Sequence, residues 1–135
     1  MDEIDYIIVG AGSAGCVLAD RLSASGKHRV VVLEAGGTDR RFFVQMPLGY
    51  GKLFYDRAVN WLYQTEPDPG LAGQRDHWPR GKILGGSSSI NAMVWIRGHQ
   101  ADYEDWGRIG GSDWGLEATR EAYRALEDNE AGTDE

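Results

Sequence analysis

The sequence predicts an α/β protein in which residues 4–35 form one βαβ unit. Three observations predict it: the run IDYIIV at residues 4–9, the glycine-rich turn GAGSAG at residues 10–15, and the run RVVVL at residues 29–33. Short β-branched runs of this kind are typical of parallel strands buried on both faces. Apolar residues recur at helical spacing over residues 16–25, so a helix is expected to connect the two strands.

The glycine-rich turn has the pattern GxGxxG between a strand and a helix. Gly10 permits the tight turn, Gly12 lets the backbone approach a pyrophosphate, and Gly15 lets the helix pack against the strand. Free N–H groups and the helix dipole then favour an anion at the helix N-terminus. The motif predicts a Rossmann-like dinucleotide site, and the alternative is a glycine-rich turn that binds nothing.

Glu34 closes the second strand roughly 20 residues beyond Gly15, where a carboxylate accepts the ribose hydroxyls of a bound dinucleotide. Its charge would repel a 2′-phosphate, which disfavours NADP. The motif by itself does not distinguish FAD from NAD.

Composition narrows the classes of partner and compartment. The chain has 135 residues and a net charge of −7, which argues against nucleic-acid and anionic-membrane partners. No stretch approaches the ~20 apolar residues of a membrane span. The single cysteine, Cys16, excludes an internal disulfide and fits a reducing compartment, and the N-terminal residues carry no secretory signal pattern. We therefore expect a cytoplasmic protein.

Residues 36–80 are rich in turn signals and are expected to form no long element. A connection of this length is unusual in a compact domain unless it carries function, so we interpret it as a segment that covers a cofactor. Within it, Trp61, Leu62 and Tyr63 form a short apolar patch that is expected to pack against the core or the cofactor.

A second glycine-rich motif lies in residues 81–104. Gly85 and Gly86 precede three serines, and such a turn can form an anion-binding concavity from its N–H groups. The alternative is a surface loop leading into a buried strand at residues 92–96. Arg80 and Lys82 either neutralise phosphate charge or are ordinary surface charges.

Two helices are predicted near the C-terminal end. The first covers residues 101–106, with Tyr103 and Trp106 facing inward. The second is amphipathic, covers about residues 116–128, and begins near Ser112 or Asp113 as its cap. Its predicted inward face comprises Leu116, Thr119, Tyr123 and Leu126.

The two glycine-rich motifs together resemble the glucose–methanol–choline (GMC) oxidoreductases, a family of FAD-dependent enzymes, and most of all its choline-dehydrogenase-like members. The resemblance rests on DYIIVGAGSAGCVLADRLS with VVLEAGG, on RGKILGGSSSINAMVWIRG followed by DYEDW, and on NWLYQTEP between them. It runs from about residue 5 to residue 129.

The resemblance implies that this chain contributes the FAD-binding portion and that FAD is bound noncovalently. Some members tether FAD through a histidine just before the motif's asparagine, and Ile90 stands at that position here. No metal is implied. The implied cofactor-binding residues are Gly10, Gly12, Ser13, Ala14 and Gly15 at the pyrophosphate, Glu34 at the adenosine ribose, Ala35 next to it in the sequence, Gly86 and Ser87 along the pyrophosphate and ribityl chain, Asn91, Ala92, Met93 and Val94 near the isoalloxazine ring, and Trp61 beside the flavin.

The implied reaction is oxidation of a small-molecule alcohol to an aldehyde or ketone by hydride transfer to flavin N5. The family's catalytic residues have no counterpart in this chain, and neither His28, His77 nor His99 is assigned to catalysis. Two alternatives are a redox-silent FAD-containing hydroxynitrile lyase and a non-catalytic dinucleotide-binding fragment.

One βαβ unit leaves sheet faces and edges uncovered. Family members are also several times longer, so the substrate domain is absent from this chain. We therefore expect a second chain that carries the rest of the enzyme. The identity of the alcohol is not encoded in these residues.

Overall fold

The computed structural model describes residues 3–127. The chain divides into two compact units, Met1–Val94 and Trp95–Glu135. In the first unit, strand β1 spans Tyr6–Val9, helix α1 spans Ser13–Ser23 and strand β2 spans Val30–Leu33. The two strands pair in parallel, from Tyr6 opposite Val30 to Val9 opposite Leu33. The predicted βαβ unit is confirmed.

The sequence predicts that this sheet is buried on both faces, and this prediction is wrong for the described residues. In β1 only Ile8 is buried, while the Ile7 side chain is 62% exposed and Val9 is 85% exposed. The sheet to which β1 belongs has two strands, and α1 packs on it. One helix is too little to cover two faces of a parallel sheet.

Residues 36–80 contain only short elements, as expected from their turn signals. These are α2 (Phe42–Gln45), α3 (Tyr50–Leu53), β3 (Tyr63–Gln64) and β4 (His77–Trp78), with 3-10 turns at Pro47–Gly49 and Pro69–Leu71. Strands β3 and β4 form an antiparallel pair.

The segment nevertheless supplies half of a small core. Leu53 and Val59 pack with Ile83 and Ile90 from the second glycine-rich motif, and all four are nearly fully buried. Burying side chains of this size contributes roughly 1.5–3 kcal/mol each. The apolar residues that precede and follow Gly85 and Gly86 therefore hold this motif in place.

In the second unit, helix α4 spans Gln100–Gly110 and helix α5 spans Leu116–Leu126. His99 caps α4, because its Nδ1 accepts a hydrogen bond from the Ala101 N–H at 3.2 Å. Tyr103 is buried as predicted, but Trp106 is 51% exposed and lies edge-on to Tyr103 instead.

Helix α5 begins at residue 116 as predicted, but its cap and part of its predicted inward face differ. Its N-cap is Gly115, and Ser112 and Asp113 lie in a separate 3-10 turn, Ser112–Trp114, without capping the helix. Leu126, expected to face inward, is 73% exposed. Residue 128, the last of the predicted helix, lies outside the described residues. No helix among residues 3–127 is long and apolar enough to cross a membrane.

Candidate dinucleotide-binding site

The two glycine-rich motifs lie against each other. Gly85 donates its N–H to the Ala11 carbonyl at 2.7 Å, and Gly12 pairs with Gly85 as an isolated parallel bridge. A Cβ atom on Gly86 would lie 2.9 Å from the Cα of Gly12, closer than real Cβ atoms approach backbone. The sequence predicts that these glycines let the backbone approach a ligand. In the structure they let the two turns approach each other.

The first turn ends at the N-terminus of α1. Gly10 has a φ of +94°, which suits the tight turn after β1, and Gly12 is the helix N-cap. A Cβ on Gly15 would lie 2.0 Å from the Gly10 carbonyl oxygen, so only glycine lets the helix start this close to the strand. Because the first N–H groups of a helix have no intrahelical acceptor, the amides of Ser13 and Ala14 are oriented toward any anion placed there.

Glu34 links the end of β2 to the first glycine turn. Its Oε2 accepts from the Ala11 N–H and its Oε1 from the Gly36 N–H, both at 2.8 Å. A carboxylate has about four acceptor sites, so two of them remain for ribose hydroxyls. Glu34 thus has a structural task in the turn that the sequence did not reveal, and its contact with the ribose stays a prediction.

A cleft of about 420 Å³ opens where these elements meet. Predicted site residues lining it are Gly10, Gly12, Glu34, Ala35, Trp61, Gly86 and Ser87. Ser13, Ala14 and Gly15 lie in the first turn of α1 beside it. Lining residues not predicted as site residues are Val9, Leu33, Tyr63, Arg80 and Gly81. Val9 and Leu33 end the two parallel strands, and the rule that ligands bind beyond the carboxyl ends of such strands would have found them.

The aromatic patch forms one wall of this cleft. Trp61 and Tyr63 stack with their rings 3° from parallel and 6.0 Å apart, and the Lys82 ammonium lies 4.7 Å from the Trp61 ring centroid. Arg80 stacks on Trp78 and donates to the Pro79 carbonyl, neither of which neutralises its charge. Two cations beside the glycine turns favour an anionic ligand.

The three serines have different tasks. Ser88 and Ser89 donate their hydroxyls to the Gly85 and Leu84 carbonyls at 2.7 Å, which closes the turn at Gly86–Ser89. The Ser87 hydroxyl accepts from the Gly81 N–H at 3.1 Å and lines the cleft. Only Ser87 of the three therefore presents its side chain at the predicted site.

The predicted flavin-ring residues lie elsewhere. Asn91 and Met93 line a separate cavity of about 270 Å³, with residues of α2 and α3. The Asn91 Oδ1 accepts from the Met93 N–H at 2.8 Å, and Met93 has a φ of +58°. Ala92 and Val94 are exposed, and no strand forms at residues 92–96. Positive φ in a non-glycine residue costs roughly 1–3 kcal/mol and is concentrated at functional sites.

The described residues contain no cluster of three or more His, Cys, Asp or Glu side chains placed to hold a metal ion. His77 hydrogen-bonds the Phe54 carbonyl through Nε2 at 2.9 Å and stacks on Tyr55. His28 packs edge-on against Tyr6. Both therefore have local packing partners.

A glycine-rich turn between parallel strands, with a carboxylate at the end of the second strand, defines a dinucleotide-binding α/β protein. The profile of the GMC oxidoreductase family matches residues 4–132. The chain belongs to this family, which confirms the resemblance and the incomplete Rossmann-like fold inferred from the sequence.

Curated relatives and solved structures agree with this assignment. Oxygen-dependent choline dehydrogenase of Photobacterium profundum is 51% identical over 91% of this chain and 22% of its own length. Alcohol dehydrogenase [acceptor] of Pseudomonas putida is 53% identical over 93% of this chain and 23% of its own length. The crystal structure of pyridoxine 4-oxidase from Mesorbium loti superposes with a TM-score of 0.87 at 38% identity, over 96% of this chain and 26% of that one. The chain thus spans about a quarter of the length of these relatives.

The residues present fit an extended dinucleotide cofactor. The cradle is formed by backbone, and a Cβ at Gly86 or Gly15 would meet other backbone atoms. Its donors are amides at a helix N-terminus whose first turn carries no acidic residue. Such donors suit a pyrophosphate.

Proposed function

We propose that this chain is the FAD-binding part of a GMC-type oxidoreductase that oxidises an alcohol to an aldehyde or ketone. The observation that carries the proposal is the contact between the two glycine-rich turns at one cleft, with Glu34 at the end of the neighbouring strand. The family assignment and the names of the relatives support the reaction class.

The proposed residue roles follow the two turns. Gly10, Gly12, Ser13, Ala14 and Gly15 surround the pyrophosphate, and the donors are the N–H groups at the start of α1, because the Gly10 and Ala11 N–H groups are already bonded to Leu33 and Glu34. Gly86 and Ser87 flank the pyrophosphate, Glu34 holds the adenosine ribose, and Ala35 lines the same cleft. Trp61 packs beside the cofactor. Asn91, Ala92, Met93 and Val94 approach the isoalloxazine ring, and the positive φ of Met93 supports a functional task for this stretch.

Bound FAD supplies the acceptor for the hydride that leaves the alcohol carbon. This chain binds and orients the cofactor, and the residues that handle the hydroxyl proton are provided by the rest of the enzyme. We propose noncovalent FAD, because Ile90 stands where a tethering histidine would be. Its side chain is only 2% exposed and packs in the core.

We also propose that a second chain carries the rest of the enzyme and covers the sheet. The exposed apolar side chains of Ile7 and Val32, which lie on the two-stranded sheet and do not line the cleft, support a covering partner. The exposed single cysteine, Cys16, supports a reducing, cytoplasmic location.

Native mass spectrometry of the purified particle tests composition and cofactor together. The proposal expects this chain, one FAD and a larger second chain. Anaerobic mixing with a panel of alcohols, including choline and pyridoxine, then tests the reaction through loss of the oxidised-flavin absorbance. FAD that stays oxidised with every alcohol but supports hydroxynitrile cleavage would identify a lyase. A particle without FAD would refute the proposal.

A further inference from the structure

Asn60 is the buried polar residue of the described chain, with a side chain only 2% exposed. The segment NWLYQTEP, in which Asn60 lies, implies no ligand contact for this residue. Asn60 also does not line the cleft. An amide side chain has two donor hydrogens and two acceptor lone pairs, and burying any of them without a partner costs roughly 1–3 kcal/mol. Its partners therefore indicate what it does.

All four hydrogen-bonding positions of Asn60 are used. Its Nδ2 donates to the Leu53 carbonyl at 3.4 Å and to the Phe54 carbonyl at 2.9 Å, at the end of α3. Its Oδ1 accepts from the Leu62 N–H at 2.9 Å and from the Arg80 N–H at 3.0 Å. Carbonyls only accept and backbone amides only donate, so this orientation of the amide is the one that satisfies every partner.

The two N–H groups held by Oδ1 belong to the wall of the cleft. Leu62 has a φ of +54°, a left-handed conformation that costs roughly 1–2 kcal/mol in a non-glycine residue. It lies between Trp61 and Tyr63, whose stacked rings line the cleft, and Arg80 lines it as well. The bond to Oδ1 offsets the cost of the left-handed turn.

The Nδ2 side anchors this wall to the core. Leu53 packs with Val59 and Ile83, and the Phe54 carbonyl also accepts from His77 Nε2, which must carry the proton because a carbonyl cannot donate. Asn60 thus connects a rigid cluster to a strained turn through a single buried side chain.

We infer that Asn60 is a positioning residue for the cofactor: its amide fixes the Trp61–Tyr63 stack and Arg80 against the glycine turns. This inference rests on the proposed function for the identity of the ligand. The geometry of the wall, however, can be tested without any ligand.

The test compares three variants of the purified protein that contains this chain. Asn60→Leu removes all four hydrogen bonds. Asn60→Asp keeps an acceptor for Leu62 and Arg80 but turns a carboxylate oxygen toward the Leu53 and Phe54 carbonyls. Val59→Ala is the control for lost core stability, because Val59 is the neighbouring residue and its side chain, 1% exposed, packs in the core cluster.

Hydrogen exchange of the cofactor-free protein is the first readout. The Leu62 and Arg80 amides should exchange at least about tenfold faster in Asn60→Leu, corresponding to one lost hydrogen bond. Val59→Ala leaves a cavity in the core, so any faster exchange of these two amides in it should be matched by the other protected amides of the first unit, whereas Asn60→Leu should accelerate these two amides in excess of the others. Unchanged exchange in Asn60→Leu would overturn the inference whatever the protein binds.

FAD affinity is the second readout, measured by quenching of flavin fluorescence. FAD affinity should be highest in the wild type and Val59→Ala, lower in Asn60→Asp, and lowest in Asn60→Leu. The loss in Asn60→Leu should be about tenfold or more. An equal loss of FAD affinity in Val59→Ala would show that Asn60 acts only through the stability of the fold, and would refute a positioning role. If Asn60→Leu does not fold, Asn60→Asp carries the comparison. Wild-type protein that fails to bind FAD refutes the proposed function, while the exchange result still decides the role of Asn60.

Discussion

Replacing Gly86 with alanine tests the contact on which the proposed cofactor site depends. Gly86 is buried and has a φ of +60°, and an added Cβ would lie 2.9 Å from the Cα of Gly12. The neighbour is backbone, so it cannot rotate away as a side chain would. Either the second turn moves away from the first or both distort.

The expected cost combines two effects. The left-handed conformation costs roughly 1–2 kcal/mol in a residue with a Cβ. Overpacking against a fixed neighbour adds roughly 1–3 kcal/mol. The free energy of unfolding should therefore fall by about 2–5 kcal/mol. FAD binding should weaken by at least about tenfold, or about 1.4 kcal/mol of binding free energy, because the second turn no longer lies against the first.

The assay pairs denaturant unfolding with FAD titration, and Gly37→Ala is the matched control. Gly37 also sits in a glycine pair beside this motif, but its φ is not positive and nothing lies within 4 Å of a Cβ built on it. Its substitution should change stability by no more than about 0.5 kcal/mol. Wild-type stability and FAD affinity in Gly86→Ala would refute the contact between the two turns.

Three further substitutions follow from the same structure. Gly15→Ala places a Cβ 2.0 Å from the Gly10 carbonyl oxygen, so it should lower both stability and FAD affinity in the same two assays, and a stable variant that still binds FAD would contradict the packing at the start of α1. Glu34→Gln turns an NH₂ group toward the N–H of Ala11 or Gly36, so it should cost roughly 1–3 kcal/mol in the cofactor-free protein in addition to its loss of FAD affinity; unchanged stability without FAD would argue against its structural task. Hydrogen bonds from Arg97 and then Trp95 lower the pKa of Glu127 below its ordinary value near 4.5, so the stabilisation is complete above that pH and is lost as the pH falls below it. Glu127→Gln should therefore flatten the acid side of the stability–pH curve, measured by thermal unfolding, and an unchanged curve would show that the group does not titrate as inferred.

The βαβ unit was predictable because its determinants are local. The parallel pairing of β1 with β2 follows from two β-branched runs joined by a helix. The positive φ of Gly10 favours glycine, and a Cβ on Gly15 would meet the Gly10 carbonyl oxygen. Errors appeared where burial depends on neighbours distant in sequence. Trp106 and Leu126 have the spacing of inward-facing residues, but both are exposed. Helical periodicity identifies the apolar face of a helix, and it does not show whether another element covers that face.

The sequence alone determined the family, the dinucleotide motif and the position of Glu34, because each depends on residue types at fixed spacing. Only the tertiary structure decided that Gly86 packs on Gly12, that Glu34 also holds the Ala11 and Gly36 amides, and that Asn60 supports the aromatic wall. These contacts join segments far apart along the chain, and an isolated glycine, glutamate or asparagine carries no local sign of its distant partner. Chain folding brings the two turns together, and their contact forms the cleft.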